Sequence, residues 1–83
     1  AIVCGDAMVY DYAEVYGGAE VFSKAKVFDN AKVFDNAEVY DEAKVFEDAR
    51  IYGNAKICGV TWVFDKAEFS GNTIVHGDAV VCG

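Results

Sequence analysis

The chain has 83 residues and a net charge of −7, from 7 Lys and Arg against 14 Asp and Glu. This acidic balance argues against nucleic acid or an anionic membrane as the main partner, because phosphate binding needs clustered cations. A hydrophobic fraction of 54% excludes a disordered chain, and the longest uncharged apolar run is too short to span a membrane. The length indicates one small domain.

The sequence repeats every six residues from Ala1 onwards. Fourteen hexads fill the chain without an insertion, the last one residue short, so residues 1–83 are expected to form one repeat domain without a linker. The first position is Ala or Thr, the third is apolar, and the fourth is aromatic in nine hexads. The fifth is Gly or acidic in all hexads but one, and the sixth is often Asn, Asp or Gly.

Each hexad predicts a short strand followed by a corner. In chain order the strands are expected at 1–4, 7–10, 13–16 and so on, because inward small and apolar residues alternate with outward charged and aromatic ones. The fifth and sixth positions carry residues that tolerate the left-handed backbone of a tight corner. The third positions form the predicted core: Val3, Val9, Val15, Val21, Val27, Val33, Val39, Val45, Ile51, Ile57, Val63, Phe69, Val75 and Val81.

The segment Ile51-Tyr52-Gly53-Asn54-Ala55-Lys56 resembles the hexapeptide repeat of left-handed β-helix proteins, and the same frame covers the whole chain. The resemblance implies an all-β fold, a single-stranded left-handed parallel β-helix shaped as a triangular prism. Three hexads per coil give 18 residues per coil and about 4.6 coils. One departure is that the residue after the inward aliphatic is usually aromatic here, whereas Gly is frequent in the family.

Residues 18 apart are expected to stack about 4.8 Å apart on one side of the prism. The unbroken aromatic column of Tyr10, Phe28, Phe46 and Phe64 is the best candidate for an adhesive face, although such rings also stabilise a wall. The corner beside it stacks Asp11, Asp29, Glu47 and Asp65. Either these carboxylates are solvated, or protonation or Ca²⁺ relieves their mutual repulsion. The hydroxyls of Thr61 and Thr73 are expected to bond to corner backbone.

No catalytic site, cofactor site or metal site is predicted. Many hexapeptide-repeat proteins are acyltransferases that use a His base on a trimer with a projecting loop, but this chain has one His and no loop. His76 occupies an outward position, and with Cys58 it supplies too few ligands for zinc. An ice-binding surface needs an outward row of Thr, whereas both Thr residues are predicted to point inward.

The two end coils carry no polar cap, so their strand edges and the core around Val3 and Val81 are expected to pair with other copies. Cys4 and Cys58 lie roughly 14 Å apart on one column, beyond disulfide reach, whereas Cys4 and Cys82 could meet at a head-to-tail junction. The leading hypothesis is a structural, non-catalytic solenoid whose partner is itself. The alternatives are the β-helix segment of a hexapeptide acyltransferase and a passive spacer module. The location is not determined: free thiols and the absence of a signal peptide weakly favour the cytoplasm, and an extracellular filament of cysteine-linked subunits is the alternative.

Overall fold

The computed structural model describes residues 1–82 and contains fourteen two-residue strands, one in each hexad. The strands are β1 (Ile2–Val3), β2 (Met8–Val9), β3 (Glu14–Val15), β4 (Glu20–Val21), β5 (Lys26–Val27), β6 (Lys32–Val33), β7 (Glu38–Val39), β8 (Lys44–Val45), β9 (Arg50–Ile51), β10 (Lys56–Ile57), β11 (Trp62–Val63), β12 (Glu68–Phe69), β13 (Ile74–Val75) and β14 (Val80–Val81). Residues 1–82 include no helix that could cross a membrane.

The strands are shorter than the four residues predicted, because the first and fourth positions of each hexad already adjoin the bends. These flanking residues still take part in the ladder between coils. The amide of Cys4, for example, donates to the carbonyl of Val21 at 3.0 Å. The hexad frame therefore gave the right number and order of strands, and only their bounds differ.

Each of the strands β1 to β11 pairs in parallel with the strand three places further along the chain. Val3 aligns with Val21, Val9 with Val27 and Val15 with Val33, so each coil takes 18 residues. The strands form sheet A (β1, β4, β7, β10, β13), sheet B (β2, β5, β8, β11, β14) and sheet C (β3, β6, β9, β12). This arrangement confirms the predicted all-β solenoid with an 18-residue coil; its left-handed sense remains a prediction from the resemblance.

The core is a column of small and branched side chains enclosed by the three sheets. Val27, Val45 and Ile51 are fully buried, as are the alanines at the first positions of the middle coils. Burying one such aliphatic side chain stabilises the fold by about 1.5–3 kcal/mol. Towards either end burial declines: Val3 is 46% exposed, and Phe69 and Val81 are only partly buried against the core.

The corners depend on left-handed backbone at the fifth position of the hexads. Seven non-Gly residues there have φ between 57° and 60°, among them Asp29, Asp35 and Glu47. Four of these side chains, those of Asp29, Asp35, Asp41 and Glu47, accept hydrogen bonds from the next coil. Asp29 Oδ2 accepts from the amide of Glu47 at 3.2 Å, and Glu47 Oε1 accepts from that of Asp65 at 2.9 Å. Acidic residues at this position therefore satisfy backbone donors that have no strand partner.

The two threonines that replace Ala at the first position bond to the backbone that opens a corner, as predicted. Thr61 Oγ1 donates to the carbonyl of Cys58 at 2.7 Å, and Thr73 Oγ1 donates to that of Ser70 at 2.8 Å. In hexads with Ala, the amide of Ala often donates to the equivalent carbonyl, as from Ala31 to Phe28 at 3.3 Å. The Thr hydroxyl thus replaces that turn contact.

Candidate assembly surfaces

The hydrogen bonds between coils have a consistent direction along the solenoid axis. The amides at the second, fourth and sixth positions of one coil donate to carbonyls of the following coil. Examples are the bonds from Ile2 to Ala19 at 3.0 Å and from Phe64 to Val81 at 3.1 Å. The two ends of the solenoid therefore present different backbone groups, carbonyls at the first coil and amides at the last.

At the first coil, unpaired carbonyls surround an apolar depression. No earlier coil within residues 1–82 supplies donors for the carbonyls of Ala1 and Val3. Val3, Val9, Ala13 and Val15 line this depression. The end thus combines hydrogen-bond acceptors with exposed core side chains, which is the composition of an open strand edge.

At the last coil, the complementary donors have no backbone acceptor within residues 1–82. These are the amides of Ser70, Ile74, His76 and Val80, at positions that donate to a following coil elsewhere in the chain. Val75 and Val81 cover part of the core beside them. Val3 and Val81, predicted as assembly residues, therefore belong to opposite end surfaces with complementary hydrogen-bonding groups.

The aromatic columns form ladders of stacked rings. In the column of Tyr10, Phe28, Phe46 and Phe64, neighbouring ring centroids are 5.0–5.1 Å apart and the planes differ by at most 9°. The rings of Phe28, Phe46 and Phe64 are partly buried by this stacking. Trp62 adds an edge-on contact to Phe46, with centroids 6.4 Å apart. The column covers the wall, and only part of it stays available to a partner.

The cysteines occupy three separate places, and all three are free thiols. Cys4 and Cys82 are exposed near opposite ends, whereas Cys58 is partly buried in the same column as Cys4, three coils away. Cys58 Sγ lies 3.6 Å from the carbonyl of Val75. Its hydrogen bond to Tyr40, together with the burial of that phenol, raises the pKa of Tyr40 to about 12.

The acidic corner and the region around His76 do not gather enough ligands for a metal ion. Within residues 1–82, no three His, Cys, Asp or Glu side chains converge in such a group. Asp29 and Glu47 instead use a carboxylate oxygen to accept a backbone amide. His76 is exposed beside the last coil. Asp29 and Glu47 thus act as side chains of a corner, and His76 is an outward side chain of the wall.

The second position of the hexads supplies a further surface that the assembly prediction did not include. Its side chains form one outward column on each sheet, and reading the sequence at intervals of 18 would have found them. The acidic face of sheet A carries Ile2, Glu20, Glu38, Lys56 and Ile74. The basic face of sheet B carries Met8, Lys26, Lys44, Trp62 and Val80. The mixed face of sheet C carries Glu14, Lys32, Arg50 and Glu68.

Two contacts within these faces involve charged side chains. Arg50 Nη1 lies 3.9 Å from Glu68 Oε2 on the mixed face, and both side chains are more than half exposed. Lys44 Nζ lies 5.3 Å from the ring centroid of Trp62 on the basic face. An exposed ion pair of this kind contributes little to stability.

Comparison of the chain with protein-family models, with curated proteins and with solved structures gives no match in any of the three.

Proposed function

We propose that the protein is a structural, non-catalytic solenoid that stacks end to end with copies of itself into a filament or scaffold. We further propose that it is a divergent member of the hexapeptide-repeat β-helix proteins. The observation that carries the assembly proposal is the complementarity of the two ends. The unpaired carbonyls of the first coil correspond in position to those that accept hydrogen bonds between the inner coils. The unpaired amides of the last coil correspond to those that donate these bonds.

This direction of hydrogen bonding favours stacking from head to tail. Two first coils placed against each other would oppose carbonyl to carbonyl, and two last coils would oppose amide to amide. A head-to-tail contact continues the ladder and also covers the depression lined by Val3, Val9 and Val15. Because the contact is heterologous, it propagates as a filament wherever it does not close into a ring.

Electron microscopy of the purified chain over a concentration series tests the proposal. We expect unbranched filaments one or a few prisms wide. Val3→Lys or Val81→Lys should prevent their growth while the circular-dichroism spectrum of the middle coils is retained. Tyr12→Lys is the matched control for Val3→Lys, because it adds the same charge to the first coil at a corner residue that is 81% exposed.

A monodisperse monomer at high concentration would contradict the proposal. Discrete trimers would instead favour the β-helix segment of a hexapeptide acyltransferase. Filaments that shorten in reductant would add disulfides of Cys4 or Cys82 to the junction, since both thiols are exposed near the ends.

A further inference from the structure

We propose that the acidic face of one copy pairs side by side with the basic face of a second copy. The two copies lie parallel, at the same height along the solenoid axis. This lateral contact goes beyond end-to-end stacking and uses the second-position columns of two sheets, which lie beside the aromatic columns. It rests on a level-by-level match between side chains at the second positions of sheets A and B.

The match follows from the hexad spacing. Each residue of the acidic face precedes a residue of the basic face by six positions, which is a third of a coil or about 1.6 Å along the axis. Two parallel copies at the same height therefore bring Glu20 opposite Lys26 of a second copy, and Glu38 opposite Lys44. Both pairs combine opposite charges.

The remaining three levels are also compatible. Lys56 falls opposite Trp62 of the second copy, a pairing of a cation with an aromatic ring. At the two ends of the faces, Ile2 meets Met8 and Ile74 meets Val80, and each of these four side chains is about half exposed or more. No level of this arrangement sets like charges against each other or a charge against an aliphatic side chain.

Within one copy, the same columns place like charges on top of each other. Glu20 aligns with Glu38 on sheet A, and Lys26 aligns with Lys44 on sheet B. Neighbouring like charges on adjacent strands destabilise a sheet. Within residues 1–82 none of these four side chains forms an ion pair, although Lys56 aligns with Glu38 on sheet A. A second copy would add counter-charges that the columns of one copy supply only in part.

Other face combinations fit less well. Two basic faces, or a basic and a mixed face, oppose Lys to Lys or Lys to Arg. At the same height, each residue of the mixed face lies about 1.6 Å from the level of the acidic-face residue six positions after it. The acidic face against the mixed face therefore opposes Glu20 to Glu14 and Lys56 to Arg50, and it sets Ile74 against the charged Glu68. The acidic and basic faces are therefore the combination that satisfies both charges and apolar ends.

The contact is expected to be weak for a single pair of copies. From the extents of 25 × 24 × 19 Å, one face covers on the order of 400 Å², about half the area that each partner contributes to a standard interface. Stacked copies would add such contacts along parallel filaments, so that pairing strengthens with length.

The test uses charge reversal in the end-blocked Val3→Lys/Val81→Lys background, so that lateral pairing is read without filament growth. Sedimentation equilibrium up to about millimolar concentration suits an interface of this size. The acid-reversed variant is Glu20→Lys/Glu38→Lys, and the base-reversed variant is Lys26→Glu/Lys44→Glu. We expect the parent to associate with concentration, each variant alone to remain monomeric, and an equimolar mixture of the two to recover association.

Two controls separate this pairing from its competitors. The unmodified chain has a net charge of −7, and the two added lysines of the end-blocked background bring it to −5. The acid-reversed variant adds four positive units and so has a net charge of −1. General repulsion therefore weakens while the specific pairing is lost. Lys32→Glu/Arg50→Glu on the mixed face should leave association intact.

A parent that stays monomeric, a mixture that fails to recover, or an equal loss with the mixed-face variant would each overturn the lateral proposal. None of these results bears on end-to-end stacking, which is read from wild-type filaments. Conversely, an absence of filaments would leave the lateral result standing.

Discussion

Phe28 and Phe46 lie ring on ring, with centroids 5.1 Å apart and planes 4° from parallel, although 18 residues separate them in the chain. Stacked aromatic pairs contribute about 0.5–1.5 kcal/mol beyond the area they bury. A double-mutant cycle with Phe28→Leu and Phe46→Leu should therefore give a coupling energy in that range, measured by urea unfolding. Phe28→Leu with Phe34→Leu is the control. These rings belong to different columns, and their effects should add to within about 0.5 kcal/mol. Additive effects in the first pair would contradict a stabilising ladder.

Val27 is fully buried, whereas its neighbour Lys26 points outward and is partly exposed. Val27→Asp removes an aliphatic contact and places a carboxylate in the core without a partner, which costs several kcal/mol. We expect this variant to lose its β-sheet signal in far-ultraviolet circular dichroism at 25 °C. Lys26→Asp introduces the same side chain one residue away and should remain folded. Similar unfolding midpoints for the two variants would refute the assignment of Val27 to the inner side of the sheet and of Lys26 to the outer side.

Gly53 and Gly71 occupy equivalent corners of the same column, with φ of 67° and 65°. A Cβ on Gly53 would come within 2.6 Å of the amide nitrogen of Gly71, whereas a Cβ on Gly71 would meet no atom within 4 Å. Both Ala substitutions carry the penalty of left-handed backbone, roughly 1–2 kcal/mol. Gly53→Ala should lose about 1–3 kcal/mol more, because the next coil must shift. Equal losses in thermal unfolding would show that coil spacing at the corner imposes no constraint.

Tyr40 has a pKa raised from 10.0 to about 12, through its hydrogen bond to Cys58 and then through burial. The folded state therefore holds this phenolic proton more tightly than the unfolded state. The resulting stability is fully present below pH 10 and is lost as the pH rises through 12. Absorbance at 295 nm should show a late-titrating tyrosine, and Cys58→Ala should bring its midpoint down.

Tyr40→Phe provides the matched control for this titration. It should remove the late phase and flatten the fall in unfolding free energy between pH 10 and 12. If the late phase persists in this variant, the signal belongs to one of the other four tyrosines.

The sequence was sufficient to predict which residues stack, because an uninterrupted six-residue frame leaves only one way to place residues such as Val9 and Val27 on a common column. It was also sufficient to predict that Thr61 and Thr73 bond to the backbone at corners. Periodicity identifies neighbouring residues but not the atoms that meet. Two contacts depend on side-chain rotamers: the hydrogen bond from the Glu47 amide to Asp29, and the edge-on contact of Trp62 with Phe46.

The geometry of the candidate assembly surfaces could be predicted only in part for the same reason. The exposed position of Val3 follows from its place in the first coil. The direction of the backbone hydrogen bonds, which distinguishes the two ends, depends on which amides point along the axis. The proposed lateral pairing of Glu20 with Lys26 of a second copy rests on a comparison of the side chains of two sheets at equal height.

The decline in burial from the middle coils to the ends has a thermodynamic consequence. A solenoid in which each coil contacts only its neighbours unfolds from its ends inward, since a terminal coil has half the contacts of an inner one. Joining two copies converts two such weak coils into inner ones. Growth of the stack would therefore stabilise the subunits that it contains, and their melting temperature would rise with protein concentration. Folding and assembly would then be coupled, because the stability of each subunit would depend on the number of coils in the stack.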